Sequence, residues 1–512
     1  MAAKQVPHPT VEERRAKGEG ARAKTPPSSH TGWRPAADRP DPVGLLEVQD
    51  VTREPDLVPV RHGRMMVSPF TFYRGAAKIM ATDLAATPVA GLSAQLCGDA
   101  HLSNFGAFAS PERRLLFDLN DFDETLPGPF EYDVKRMAAS FTIAARNNGF
   151  SKADTRAATL ASVTAYREAM ADFAQMRVMD IWYSHLDEDE LMNAARVAIT
   201  ELKGDVSTAK KEEKKDKQAK QVKAAKKDAK QVARDREGEK EAKAAEKRAQ
   251  KTLAKAHTRD SLQALSKLCE RVDGDYRIVS QPPIVVPARD LATTYGLSPD
   301  DVIPVIHEQF RAYRATLQDD RRHLLERFKV VDAARKVVGV GSVGTRAFIV
   351  LLQGRDTDDP LFLQIKEAQA SVLERFAGQS TYRHHGQRVV AGQRLMQAAT
   401  DIFLGWIRIK GLDGVTRDYY VRQFHDWKGS ADIDSMLVPG ATVYARICAA
   451  TLARAHARWG DRIAIASYLG KADTFDRAIA DFSSAYADQN EKDYQAFAAA
   501  VKSGRLTAQT AL

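Results

Sequence analysis

An apolar run leads into LCGDAHLSNFG, residues 96–106, which packs Asp99, His101 and Asn104 into a short Gly-bounded stretch. A second apolar run opens RLLFDLNDFDET, and Asp118, Asp121, Asp123 and Glu124 crowd its end. An ordinary turn needs no such concentration of polar and charged groups, because carboxylates at the edge of a buried strand are costly unless they are paired or used. The two stretches have to be explained together.

The chain around them has 512 residues and 44% hydrophobic content, enough for more than one domain and a sizeable core. Its first residues lack the apolar segment of a secretory signal, and its strongest apolar run, AFIVLL at 347–352, is too short to span a bilayer. Cys97, Cys269 and Cys448 form an odd, scattered set that suggests neither a disulfide framework nor a zinc site, so the chain reads as cytoplasmic with no membrane partner. The net charge of +9 resides in one appendage: residues 203–255 hold 19 Lys and Arg against 10 Asp and Glu, and the remaining 57 basic and 57 acidic residues balance. That segment consists of strong helix formers with i,i+4 ion pairs such as Glu213/Lys217, which predicts a solvated helical hairpin. An acidic partner or a nucleic acid is its minority reading.

The rest divides at composition shifts. Residues 1–42, rich in Pro, Gly, Ser and charge, are expected to be disordered or loosely draped over the body. Residues 43–202 carry both acidic motifs amid helical spacing at 69–86 and 131–146, and 256–328 reads as a helical connection. The β-rich part is 329–430: strand, glycine turn, strand, polar turn, strand, then helices at 367–377 and 385–399 and strands at 403–410 and 417–424. Helices are expected over most of 431–512.

Gly339, Gly341 and Gly344 fit G-x-G-x-x-G, but they lead into TRAFIVLL, a strand rather than the helix of a dinucleotide-binding turn. A glycine hairpin between strands lets backbone N–H groups approach nucleotide phosphates. The next strand, LFLQIK, ends in Lys366, whose ammonium needs an anion or a path to water. Phosphoryl transfer asks for a base near an acceptor hydroxyl and for oxygen ligands to Mg²⁺. Asp99 suits the base, Asn104 and Asp121 suit the metal, and Asp123 or Asp118 suits a second carboxylate ligand. An EF-hand reading of DLNDFDE fails on Phe122, which stands at a ligand position, and on the missing glycine. A Cys97/His101 thiol nucleophile has no further support, His456 reads as a packed helix residue, and the adjacent His384 and His385 point to different helix faces.

CGDAHLSNFG resembles the HGDxHxxN catalytic loop of the aminoglycoside and choline phosphotransferase branch of the protein-kinase-like superfamily, and LNDFD resembles its metal-binding motif. The resemblance adds His101 to the catalytic loop and implies that Asp133, in EYDVKRMAAS, buttresses that loop's backbone. RHGRMMVSPFTFYRGAA, the acidic motifs and GQRLMQAATDIFLGW together look like an uncharacterised bacterial domain-of-unknown-function family associated with that superfamily. The superfamily resemblance implies an α+β, two-lobe, kinase-like fold and an ATP- and Mg²⁺-dependent phosphotransferase of unknown acceptor, with Lys366 on the α/β-phosphates and Glu374, then Glu367, as its ion-pair partner, whereas the closer family's biochemistry is unassigned. Two features depart from the pattern. Cys97 stands where the loop ordinarily has His, and the glycine-lysine lobe follows the catalytic loop instead of preceding it, an order that a circular permutation explains. A nucleotide-binding pseudokinase or scaffold, and AMP transfer on the same fold, are the alternatives.

Overall fold

The computed structural model describes residues 7–193, 250–294, 298–411, 413–424 and 426–509, together with positions 196, 244, 247 and 248. Strands β1 (Ser93–Leu96), β2 (Phe105–Ala109), β3 (Leu115–Leu119) and β4 (Leu126–Pro129) pair antiparallel as β1 with β4 and β2 with β3. They form one long hairpin opened at its middle. The gap in one arm is residues 97–104 and the gap in the other is 120–125, so the two acidic stretches lie side by side, tied by Asn120 N–H to the Asn104 carbonyl at 2.8 Å.

The helix Phe130–Asn147 leaves β4 directly and is buried at every position from 130 to 145. Its first turn carries Glu131 and Asp133, where unpaired backbone N–H groups and the helix dipole favour negative charge. Around it pack Lys152–Gln175, Val438–Trp459 and Thr474–Lys502, which share the main hydrophobic core with the opened hairpin.

A six-stranded antiparallel sheet stands beside this helical body, in the order β11 (Gly405–Lys410), β12 (Thr416–Gln423), β10 (Pro360–Ala368), β9 (Ala347–Gln353), β8 (Lys329–Lys336), β7 (Val285–Pro287). The period-two alternation of β9 sends Val350 and Leu352 toward Phe310 and Tyr313 on the helix Pro299–Arg314, and Ile349 and Leu351 toward Ala264 and Leu265 on the opposite face. Overall the described chain is a mixed α+β structure. No helix among the described residues is long and apolar enough to cross a membrane, and the three cysteines are free thiols.

Three expectations change. The amino-terminal region contains the helix Val11–Lys24 rather than disorder: a Thr10/Glu13 capping box starts it, and Gly18 allows close approach, since a Cβ there would lie 2.2 Å from the Ala464 carbonyl oxygen. Arg39 then bridges Asp83 and Asp493, each at 2.6 Å. The stretch 256–328 is not purely a helical connection, because it holds the hairpin β5 (Cys269–Val272) with β6 (Asp275–Ile278) and supplies β7 to the sheet. Residues 367–377 are largely non-helical: β10 runs on through Glu367 and Ala368, paired to Tyr419 and Asp418, and only Glu374–Ala377 is helical. The basic hairpin expected at 203–255 falls almost wholly outside the described residues.

Candidate functional site

The loop after β1 is pinned by the helices beneath it. Asp133 accepts the N–H groups of Cys97 at 2.8 Å and Gly98 at 3.0 Å, and its third partner is His456 Nε2 at 3.3 Å. Tyr166 hydroxyl holds the other nitrogen of His456 at 2.8 Å. Further along, the Leu102 N–H donates to Ser140 Oγ at 3.0 Å, and Tyr444 hydroxyl donates to the Leu102 carbonyl at 2.8 Å. Gly98 is required: its φ is +84°, and a Cβ would lie 2.2 Å from the Glu124 carbonyl oxygen in the facing gap.

These anchors present Asp99, His101 and Asn104 to a cleft. Asp99 Oδ1 accepts Arg136 Nε at 2.7 Å, while Oδ2 stands 3.8 Å from His101 Nε2. His101 Nδ1 accepts the Ser103 N–H, which assigns the ring proton to Nε2. Burial raises the Asp99 pKa, opposed by Arg136, and burial together with Arg74 and Arg136 holds His101 far below its ordinary value, as a neutral imidazole. Asn104 donates its amide N–H to the Asp99 carbonyl at 2.6 Å, so its amide oxygen is the end available to a ligand.

The facing stretch meets the sheet. Lys366, 3% exposed on β10, pairs with Asp121 at 3.4 Å and more closely with Asp123, whose other oxygen accepts Tyr420 hydroxyl at 2.9 Å. Burial works against the Lys366 ammonium, but the two carboxylates outweigh it and raise its pKa. Burial also disfavours ionised Asp121, yet Lys366, Arg422 and Lys428 lower its pKa; burial and the Asp121 charge raise that of Asp123. Burial pushes Glu124 up to about 7, although its Oε2 accepts the Val372 N–H at 2.7 Å. The glycine turn between β8 and β9 lies over these acids: Ser342 Oγ reaches Asp123 at 3.4 Å, and Gly339 and Gly344 take positive φ.

Two confluent cavities, of about 290 and 370 Å³, share Asn120, Asp121, Gly339, Ser342, Arg422 and Lys428. Asp99, His101, Asn104, Asp123 and Gly341 line the first, Lys366 lines the second, and Asp133 lies beneath. Gly344 stands behind the turn, where a Cβ would be 3.0 Å from Arg53. Two assignments are corrected. Glu374 does not pair with Lys366, because it faces His385 and Arg388 at 4.0 Å; Glu367 pairs with Arg346 at 3.2 Å. Asp118 turns away from the cleft to Arg454, so it is no metal-ligand candidate. Elsewhere His185, Asp187 and Glu190 approach within 4.8 Å, but Asp187 and Glu190 already form a reciprocal helix cap and Arg114 pairs with Asp187.

Sequence reasoning missed Arg74, Arg136, Arg422 and Lys428. Arg136 carried a usable signal, since it follows Asp133 by one helical turn and therefore faces the same loop. Arg74 lies within the run RHGRMMVSPFTFYRGAA, but nothing local marks it. Chemically, the cleft combines a carboxylate with one open oxygen, a hard oxygen donor set, and a lysine beside a glycine turn.

A family model described as "Uncharacterized protein conserved in bacteria (DUF2252)" matches residues 53–240 and 218–500. No curated protein and no solved structure gives a match.

Proposed function

This chain belongs to that bacterial conserved family, DUF2252, and we propose that it is a kinase-like phosphotransferase using ATP and Mg²⁺. One observation carries the reading: Lys366 of β10, beside the glycine turn of the β8–β9 hairpin, meets Asp121 and Asp123 from a loop remote along the chain. The donor set fits Mg²⁺, which prefers carboxylate and other hard oxygens; Asp121, Asp123 and the Asn104 amide oxygen are the residues that would hold it. Bound there, the ion supplies charge neutralisation on the phosphates.

The protein's own part is positioning and proton transfer. Asp99 would accept the acceptor hydroxyl's proton on Oδ2, with Oδ1 fixed by Arg136 and a basicity raised by burial. Lys366 would exchange its carboxylate partners for the α/β-phosphates, and the glycine turn would lay backbone N–H groups over them. The permuted lobe order gains support from the end of the helix Val438–Trp459: a Cβ on Gly460 would lie 3.2 Å from the Ser93 carbonyl oxygen. That helix therefore abuts β1, the strand into the loop, as a direct connection would require.

The test is a thermal-shift titration with ATP plus Mg²⁺. A ligand that binds only the native state stabilises it by about 2.7 kcal/mol at a hundred times its Kd. Asp121→Asn is expected to abolish the Mg²⁺-dependent rise, and an undiminished rise refutes the reading. Phosphorylated product, AMP-modified product and binding without turnover then separate kinase, AMP transfer and pseudokinase.

A further inference from the structure

The charges lining the cleft are unevenly matched. Asp121 and Asp123 meet Lys366, Asp99 meets Arg136, and Glu367 meets Arg346. Arg422 donates to the Asn120 carbonyl and to Gln364 Oε1, both at 3.0 Å. Among the described residues three cations are left over: Lys336, which lines only the second cavity, and Arg74 and Lys428, which line the first beside Asp99. Arg74 has a buried Nε without a partner, and among the described residues neither its guanidinium nor the Lys428 ammonium makes a hydrogen bond or ion pair.

Arg74 is held where it is. It occupies the last turn of the helix Pro69–Gly75, and the carbonyls before and after it accept Arg136 at 2.8 Å and Arg61 at 3.0 Å. Its own carbonyl lies 3.0 Å from where a Gly341 Cβ would be, so the backbone there sits directly under the glycine turn. Because Arg136 grips both the Tyr73 carbonyl and Asp99, it couples the position of Arg74 to that of the base. Asp99 and Asp434 are the carboxylates whose fields reach Arg74, both from beyond ion-pair distance. Lys428 lines both cavities, and Arg259 fixes its carbonyl at 2.8 Å. A guanidinium withdrawn from water and left unpaired is an unfavourable arrangement unless an anion completes it, and carboxylate or phosphate does so with two parallel hydrogen bonds.

We propose that Arg74, assisted by Lys428, is a subsite for a phosphate or carboxylate carried by the acceptor whose hydroxyl approaches Asp99. The assignment rests on the phosphotransferase reading and narrows it: the acceptor is an anionic hydroxyl compound. Inorganic phosphate, titrated by calorimetry onto the full chain saturated with Mg²⁺ and a non-hydrolysable ATP analogue, is the probe. Phosphate is expected to bind the wild type and to bind Arg74→Gln at least about tenfold more weakly, with partial recovery in Arg74→Lys and little change in analogue affinity. Lys428→Gln gives an independent reading if Arg74→Gln misfolds, with a smaller loss expected and no loss counting against the subsite. Equal phosphate affinity in Arg74→Gln overturns the proposal. So does phosphate binding that disappears once the analogue is bound, because Arg74 then serves the nucleotide's terminal phosphate. Failure of the analogue to bind wild-type protein overturns the phosphotransferase reading instead, and the Arg74 dependence of phosphate binding without nucleotide then decides the anion site separately.

Discussion

Asp118 and Asp121 belong to one short acidic run and serve opposite ends. Asp118 is 1% exposed and fully engaged: Arg454 meets both oxygens at 2.6 Å, and the N–H groups of Leu119 and Ala398 donate at 2.9 Å. Asp121 lines the cleft and among the described residues has one ion pair, at 3.4 Å, to a lysine that Asp123 holds more tightly. Asp133 stands with Asp118, while Asp99, Glu124 and Arg74 stand with Asp121. Charges with every lone pair spent hold the fold; charges with capacity left over are where a ligand can act.

The widest gap between the two groups should appear in stability. Asp118→Ala leaves the buried Arg454 guanidinium uncompensated and is expected to cost about 3–5 kcal/mol in urea unfolding, whereas Asp121→Asn, which leaves Lys366 its closer partner Asp123, should cost only a small fraction of that. Comparable losses in both variants would break the division.

Glu124 sharpens it through pH. Its native pKa of about 7 lies above the ordinary 4.5, so the native state binds more protons than the unfolded chain between those values. Stability therefore falls as pH rises through that window, and is fully present below it. Glu131, also pushed up to about 7 by burial, contributes a slope of the same sign, so the informative quantity is the difference between wild type and Glu124→Gln. That difference should be on the order of 2 kcal/mol between pH 4.5 and 7.5, read from urea midpoints. Parallel curves would mean that Glu124 is already satisfied and belongs with Asp118.

The division between the two groups also explains what could be read from the chain. The glycine turn and Lys366 were legible because their context is local: β-branched runs flank the turn, and an apolar strand leads to the lysine. Asp133 came from resemblance, and its two N–H contacts are where the structure puts it. The partners of Lys366 were not legible, since Glu374 matches only the residue type such a pair needs, whereas the opened hairpin delivers Asp123 through pairing of β1 with β4. Glu367 and Ala368 read as helix because their neighbours favour it, but the β12 edge overrides that preference. The helix Val11–Lys24 escaped detection for a different reason. Caps, a glycine approach and the hydrogen bond from Arg22 to the Tyr468 carbonyl hold it, and none of these leaves an apolar period.

Arg74 gives the smallest effect and the strictest comparison with Arg454. Both are guanidiniums in largely buried surroundings, but Arg454 has Asp118 and Arg74 has no partner among the described residues. In the ligand-free chain Arg74→Gln removes a desolvated charge and loses only the packing of its stem. The two terms oppose each other, so the unfolding midpoint should shift by less than about 1 kcal/mol, toward greater stability if desolvation dominates. Added phosphate should then stabilise the wild type more than the variant, so a variant that starts the more stable of the two loses that lead as ligand is added. A ligand-free loss as large as that of Asp118→Ala would instead place Arg74 among the residues that hold the fold.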